Sequence, residues 1–272
     1  MQDTIETING SVIQHGHHNG RIYLMHLNTK DVRCLIEILN KMAVEKGYEK
    51  IFAKIPADRW KAFEDAGYVK EAIVPGFFNG ICDGLFIAKF FSRARQKTAD
   101  PVDYGAVGCF SAIGTRANAS VPQITACSPT DAVALAAIYQ RTFKSYAFPI
   151  FQPEYIESMI RKNGAYFCIR EKGSIVAAAA LEIDSACMAC EMTDFATLPE
   201  HRGRGLAGSL LDRLDDESRL RGMKTAYTIA RADSEGMNRV FLTRGYRYAG
   251  RLIKNTQIDG RIRSMTVWYK RL

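Results

Sequence analysis

Residues 191–214 read EMTDFATLPEHRGRGLAGSLLDRL, and the reading of this stretch decides the fold. A β-like run stops at Leu198-Pro199, a basic glycine loop follows at Arg202-Gly203-Arg204-Gly205, and an amphipathic helix opens behind it. The first N–H groups of a helix have no intrahelical acceptor, and the macrodipole adds partial positive charge, so an anion is stabilised there. Glycines at 203 and 205 remove the Cβ atoms that would hold a pyrophosphate away, while Arg202 and Arg204 add attraction and charge-assisted hydrogen bonds. The stretch is an anion cradle. It lacks the Gly-Lys-Ser/Thr ending of a P-loop. GRGLAG does match G-x-G-x-x-G, but no strand of a βαβ unit closed by an acidic residue is evident, and two arginines suit a more highly phosphorylated ligand than a dinucleotide.

The chain has 272 residues, enough for one large domain or two modest ones. Its 37 Lys+Arg against 29 Asp+Glu give a formal charge of +8, spread along the chain. That balance favours an anionic ligand and gives no support to a nucleic-acid partner. Seven scattered cysteines, with no secretory signal and no apolar run of spanning length, fit a reduced cytosolic compartment and no membrane partner. Cys187-x-x-Cys190 has no second pair and no His at zinc spacing, so it reads as two buried thiols. His15, His17, His18 and His26 cluster near Asn19-Gly20 without a carboxylate or Cys partner, and no metal is expected.

Residues 4–27 alternate into two short β-like runs around an Asn-Gly turn. Asp31 begins a helix with apolar residues at Val32, Leu35, Ile36, Leu39, Met42 and Ala43 and a stop at Gly47. From there the order is strand (50–55), helix (57–66), Gly67-Tyr68, strand (69–75) and an apolar run (85–91). The far end repeats that order: Gly222, strand (225–230), helix (234–243), Gly245-Tyr246, strand (247–253) and an apolar run (265–269). A diverged internal repeat is therefore expected. The first copy has Asn28-Thr29-Lys30-Asp31 in place of the glycine loop, which puts a carboxylate where phosphate would come. Residues 1–120 are thus expected to form a half without a cofactor loop, ending in a Gly/Pro-rich linker over 92–122, and residues 121–272 to carry the cradle. In that second part a strand at 123–126, a capped helix from Asp131, an aromatic loop KSYAFPIF, a helix from Pro153 and a hairpin around Glu171-Lys172-Gly173 precede the opening stretch.

Strand, two helices, hairpin, strand into R-G-x-G, helix, strand, helix and Gly-Tyr before a last strand pair resemble the GNAT acyl-CoA N-acyltransferase superfamily. FATLPEHRGRGLA over Phe195–Ala207 carries the likeness. The resemblance implies an α/β (α+β) fold with a mixed, mostly antiparallel sheet flanked by helices, here preceded by a partial GNAT-like repeat. It also implies acetyl-CoA as acetyl donor and no metal. Pantetheine would lie against a splayed strand at Phe195, Ala196 and Thr197, with pyrophosphate on Arg202, Gly203, Arg204, Gly205, Leu206 and Ala207. Where the family usually has Gln or Arg at the head of its loop motif, this chain has Glu200, whose carboxylate must point away from phosphate. EMTDFATLPEHRGRGLA, YTIARADSEGMN, SMTVWYK, YEKIFAKIP and VPGFFNG resemble members that acetylate the side-chain amine of β-lysine. That implies a zwitterionic compatible solute as product and a lysine 2,3-aminomutase as supplier of the substrate. A homodimer is one option for the assembly.

An ammonium with a reference pKa of roughly 10.4 must lose a proton before its nitrogen can attack a thioester. Glu191 is the first candidate for base or ammonium anchor and Asp194 the second, although alternation along a strand puts them on opposite faces unless a bulge intervenes. Tyr146 in the aromatic loop and Asn255 are candidate acceptor-site residues with Glu191, and Arg231 and Thr256 are further candidate liners. Many GNAT enzymes protonate the leaving thiolate with a Tyr where this chain has Phe241. That role would then fall to Tyr227, Tyr246, Tyr248 or water. The same Phe241 leaves open a non-catalytic acyl-CoA-binding module, and the loop alone leaves open another small amine or a peptide amine as acceptor.

Overall fold

The computed structural model describes residues 3–97 and 122–272. The first half contains β1 (Thr4–Ile8), β2 (Ser11–Gly16), β3 (Arg21–His26), α1 (Val32–Glu45), β4 (Lys50–Pro56), α2 (Trp60–Asp65), β5 (Val69–Phe78), β6 (Cys82–Phe90) and the short α3 (Arg93–Gln96). The second contains β7 (Ile124–Ala126), α4 (Ala132–Thr142), α5 (Pro153–Lys162), β8 (Gly164–Glu171), β9 (Ser174–Asp184) and β10 (Ala189–Thr197). It continues with α6 (Leu206–Leu220), β11 (Thr225–Arg231), α7 (Glu235–Thr243), β12 (Arg247–Ile258) and β13 (Arg261–Arg271). Residues 4–27 hold three strands where alternation gave two, because Asn9-Gly10, at φ 48° and 75°, turns the chain once more before the expected hairpin.

All strands form one 13-stranded sheet in the order β1-β2-β3-β4-β6-β5-β12-β13-β11-β10-β9-β8-β7. Outward from the β5–β12 seam the order is the same on both sides, with β1–β6 matching β8–β13, so the repeat reaches further than the Gly-Tyr signature. Each copy has one parallel pair, β3 with β4 and β10 with β11, bridged by α1 or α6. The turns match too: Asn9-Gly10 corresponds to Lys172-Gly173 (φ 49° and 80°), and Asn79-Gly80 (56° and 73°) to Asp259-Gly260 (55° and 81°). The first copy is partial among the described residues, having no counterpart of β7, α4 or α5. The glycine loop does sit in a βαβ unit, contrary to the reading from sequence, but β11 closes on Arg231 and not on an acid. The expected linker falls mostly at 98–121, outside the described residues.

Alternation explains how two cores share one sheet. Ile22 and Leu24 of β3 and Ile51, Ala53 and Ile55 of β4 face Leu35, Ile36, Leu39 and Ala43 of α1. Their neighbours Tyr23 and Phe52 point to the other face, where they join Tyr227, Leu252, Met265 and Val267 from the second half in a third apolar cluster. Truncating one such fully buried Leu costs roughly 2–5 kcal/mol. The seam itself is narrow and polar. Gly250 pairs with Ala72, and a Cβ there would fall 2.2 Å from the Glu71 carbonyl oxygen, so only glycine permits that approach. Beside it Lys50 Nζ is 2.8 Å from Glu71 Oε2 and 2.8 Å from the Ile253 carbonyl oxygen, and the Ile253 N–H donates to Glu71 Oε1 at 2.7 Å. Burial lowers the Lys50 pKa to about 8, and burial pushes Glu71 up. Each partner thus satisfies a charge that would otherwise be buried alone, and removing one costs about 3–5 kcal/mol.

Candidate active site

A bulge in β10 creates the site. Glu191, Met192 and Thr193 pair with Glu182, Leu181 and Ala180 of β9, and the register then resumes at Ala196 opposite Ala178. One extra residue therefore sits on β10, and Asp194 takes φ 54°. β10 pairs with β11 only over Ala189, Cys190 and Glu191, so the two strands splay beyond that point as the resemblance implied, and the bulge breaks strict alternation. Glu191 and Asp194 consequently line the same cavity of about 880 Å³.

Four acidic residues, Glu182, Asp184, Glu191 and Asp194, line that cavity. Glu182 lies directly across the ladder from Glu191, a pairing of like charges that costs stability on any sheet. Burial, with Glu191 and Asp194 nearby, pushes Glu182 up to about 8. Burial raises Glu191 as well, opposed by Lys54 and by a hydrogen bond from Tyr227. Burial raises Asp194 to about 6 against hydrogen bonds from Tyr146, Thr193 and Tyr166. The Thr193 hydroxyl is 3.3 Å from Asp194 Oδ1. Lys54 Nζ donates to the Tyr227 hydroxyl at 3.0 Å, giving a chain from Lys54 through Tyr227 to Glu191. Burial disfavours the Lys54 charge, but Tyr227, Tyr23 and Glu191 outweigh it and hold the ammonium well above its ordinary range. A site with raised carboxyls beside a fixed ammonium suits proton transfer to and from an amine.

The cradle occupies the other end. Gly203 and Gly205 adopt φ 74° and 78°, and no heavy atom lies within 4 Å of where either Cβ would stand. Gly205 caps α6 without a side-chain hydrogen bond, so the first N–H groups of the helix, at Leu206, Ala207 and Gly208, open on the cavity. Arg202 also lines it and ties the loop to β10 through Nε donating to the Thr197 carbonyl oxygen at 3.2 Å. These features fit the diphosphate of a coenzyme A. Arg204 does not reach the cavity: Nη2 is 2.6 Å from Glu171 Oε1 and Nη1 is 2.8 Å from His201 Nδ1. Glu200 turns away as expected, accepting from Arg141 at 2.9 Å.

Among the other residues expected at the site, Phe195, Thr197, Tyr146, Asn255, Thr256 and Arg231 line the cavity. Ala196 is buried in the core of the second half, and Arg231 is engaged by Asp259. Phe241 lines the cavity and packs edge-on against Phe195 at 5.6 Å. Tyr246 is committed to Asp215 at 2.7 Å, so of the tyrosines suggested as acid, Tyr227 reaches the cavity. Sequence reasoning missed Glu182, Lys54, Tyr23 and Arg21, all cavity residues. The available signal was a charge inside an apolar strand, as in SIVAAAALEID and KIFAKIP. Three of the four come from the first half, which thus forms part of the cavity wall.

Residues 132–246 match the acetyltransferase (GNAT) family. Over 278 residues, 99% of this chain and 99% of the relative, the sequence is 36% identical to beta-lysine N(6)-acetyltransferase of Methanococcus maripaludis. It is 34% identical to the protein of the same name in Methanosarcina mazei over 142 residues, 52% of each chain. It is 29% identical to N-acetyltransferase YodP of Bacillus subtilis over 271 residues, 96% of each. Among the described residues no helix is long and apolar enough to cross a membrane. With the cradle, the splayed strand and a full-length match of this kind, the chain belongs to the GNAT family and is an acetyl-CoA-dependent N-acetyltransferase.

Proposed function

We propose that this enzyme transfers the acetyl group of acetyl-CoA to the side-chain amine of β-lysine, giving N6-acetyl-β-lysine. The observation that carries this reading is one continuous cavity joining the α6 cradle, the β10 bulge and the carboxyls of Glu182, Glu191 and Asp194. The acceptor is named by the Methanococcus maripaludis relative, which bears that activity in its name and matches over 99% of each chain. When bound, acetyl-CoA supplies an acetyl thioester. Arg202 and the N–H groups of Gly203 to Ala207 hold the diphosphate, and Phe195 to Thr197 take the pantetheine. Glu191 anchors the side-chain ammonium and accepts its proton, with Tyr227 orienting the carboxylate and Asp194 as second acidic partner. Tyr146 fixes Asp194, and Asn255 lines the acceptor end. The bulge leaves a backbone N–H of β10 outside the ladder, a donor for the charge that develops on the thioester oxygen. Phe241 packs against Phe195 and shapes the wall; a CoA thiolate is a fair enough leaving group to depart without a tyrosine there.

In this reading residues 1–120 are a half without a cofactor loop that closes the acceptor pocket, and residues 121–272 are the catalytic domain. The product is a compatible solute of osmoadaptation made in the cytoplasm, and a lysine 2,3-aminomutase supplies the β-lysine. Release of free CoA thiol with β-lysine, α-lysine, spermidine and a peptide amine tests it. β-Lysine is expected to give the highest kcat/KM, and Glu191→Gln to lower kcat by about 10²–10⁴-fold while CoA still binds. Tight CoA binding without turnover of any amine would overturn the reading, and full activity of the Gln variant would overturn the role of Glu191.

A further inference from the structure

The cavity is electrically two-sided. Its acidic wall comes from β9 and β10, and the facing wall carries Arg21 of β3 and Lys54 of β4. Alternation brings Arg21, Tyr23 and Met25 from β3 together with Phe52 and Lys54 from β4 on that wall. Arg21 is 3% exposed and Asn255, beside it, 1%. One guanidinium nitrogen of Arg21 donates to the Asn255 carbonyl oxygen at 2.5 Å and the Thr256 hydroxyl at 3.1 Å, fastening β3 to the bulged part of β12. Its Nε has no partner, and neither does Asn255 Oδ1. Among the described residues no carboxylate lies within 4.0 Å of the side-chain nitrogens of Arg21 or Lys54. Instead the Arg21 guanidinium stacks over Tyr23 at 5.3 Å, and Lys54 Nζ lies 5.3 Å from the centre of the Tyr227 ring.

A buried cation without a counter-ion costs stability, and Arg21 is one, whereas the half-buried Lys54 on the same wall is balanced by Tyr227, Tyr23 and Glu191. Folding tolerates the arrangement where a ligand supplies the missing negative charge. The wall belongs to the acceptor end, because Lys54 hydrogen-bonds Tyr227, which in turn hydrogen-bonds Glu191. We propose that Arg21 and Lys54, two cations of the N-terminal half, bind the carboxylate of the acceptor and so make the enzyme select a diamino acid over a diamine. The unpartnered Arg21 Nε and the one remaining donor of Lys54, whose others go to Tyr227 and Tyr23, donate to the carboxylate oxygens, while Asn255 Oδ1 accepts from the ammonium next to it. The second ammonium is then directed toward Glu191. This assignment rests on the acetyltransferase reading above, and it gives the first half a task in recognition.

The test sets each amino acid against its own decarboxylated form: β-lysine against pentane-1,4-diamine, and α-lysine against cadaverine, with acetyl-CoA and release of CoA thiol. The wild-type enzyme is expected to favour the carboxylate-bearing member of its best pair by about 10- to 100-fold in kcat/KM. Lys54→Met and Arg21→Met are each expected to bring that ratio toward unity, and Arg21→Lys to recover part of it. The ratio is internal to each preparation, so a variant that folds poorly lowers both rates without changing it. Preference for α-lysine over cadaverine with no use of β-lysine would sink the choice of β-lysine and still support the carboxylate site. Equal turnover of acid and diamine by the wild type, or an unchanged ratio in both Met variants, would overturn the carboxylate site and leave acetyl transfer standing.

Discussion

The entrances to α1 and α6 occupy equivalent places in the two halves, each following the first strand of a parallel pair, yet they are built for opposite ends. At α1 the Asp31 side chain accepts from the Cys34 N–H at 3.2 Å and Asn28 accepts from the Lys30 N–H at 3.2 Å, so the helix satisfies its own donors. At α6 the cap is a glycine in the left-handed region with no side chain to offer, and the donors face a cavity. A self-capped helix is more stable by about 1 kcal/mol and has no use for an anion. The open one gives up that stabilisation and retains a binding site. The matching strand positions diverge in the same way. Glu191 of β10 corresponds by register to Tyr23 of β3, since they pair with Tyr227 and Phe52 respectively. One scaffold thus serves twice, once to hold a cofactor and once to close and charge the far wall of its pocket.

Substitutions that blur this difference act in a definite order of size. Gly205→Val adds a branched side chain at φ 78° and crowds the open N–H groups. It is expected to raise the KM for acetyl-CoA by about 10- to 100-fold, measured by thiol release at saturating amine. Glu182→Gln removes one of two facing acids. The Glu182 carboxyl has an ordinary value of 4.5 and a folded value of about 8, so the native protein loses stability as pH rises between those values. Below that window both forms are neutral and the variant matches wild type. Above it the variant is expected to melt several degrees higher, at roughly 2–4 °C per kcal/mol, while binding acceptor more weakly. Equal melting temperatures across the whole range would mean that Glu182 carries no buried charge.

How far the sequence reached depended on whether a feature is local. The cradle was legible because Arg202-Gly203-Arg204-Gly205 and the apolar period behind it are contiguous. The repeat was legible because Gly67-Tyr68 and Gly245-Tyr246 end the same helix in each copy. The shared side for Glu191 and Asp194 was not, since a single extra residue in β10 reverses alternation, and no turn residue marks it. Asp194 is an ordinary strand residue until its φ is known. Arg204 carried the loop motif but answers to Glu171, 33 positions away on the neighbouring hairpin. Lys54 and Arg21 could not be assigned from their own strands. A charge on one face of an alternating strand reads as pointing to solvent, and only the β5–β12 seam turns that face into the wall of a pocket belonging to the other half.

The central claim is that a chain with two GNAT-like halves holds one coenzyme. Calorimetric titration with CoA measures it directly. One CoA bound per chain is expected, with an affinity unchanged in Asp31→Ala, whose loss shows only as about 1 kcal/mol of stability. Two CoA per chain, or weaker binding on removal of the Asp31 cap, would contradict it.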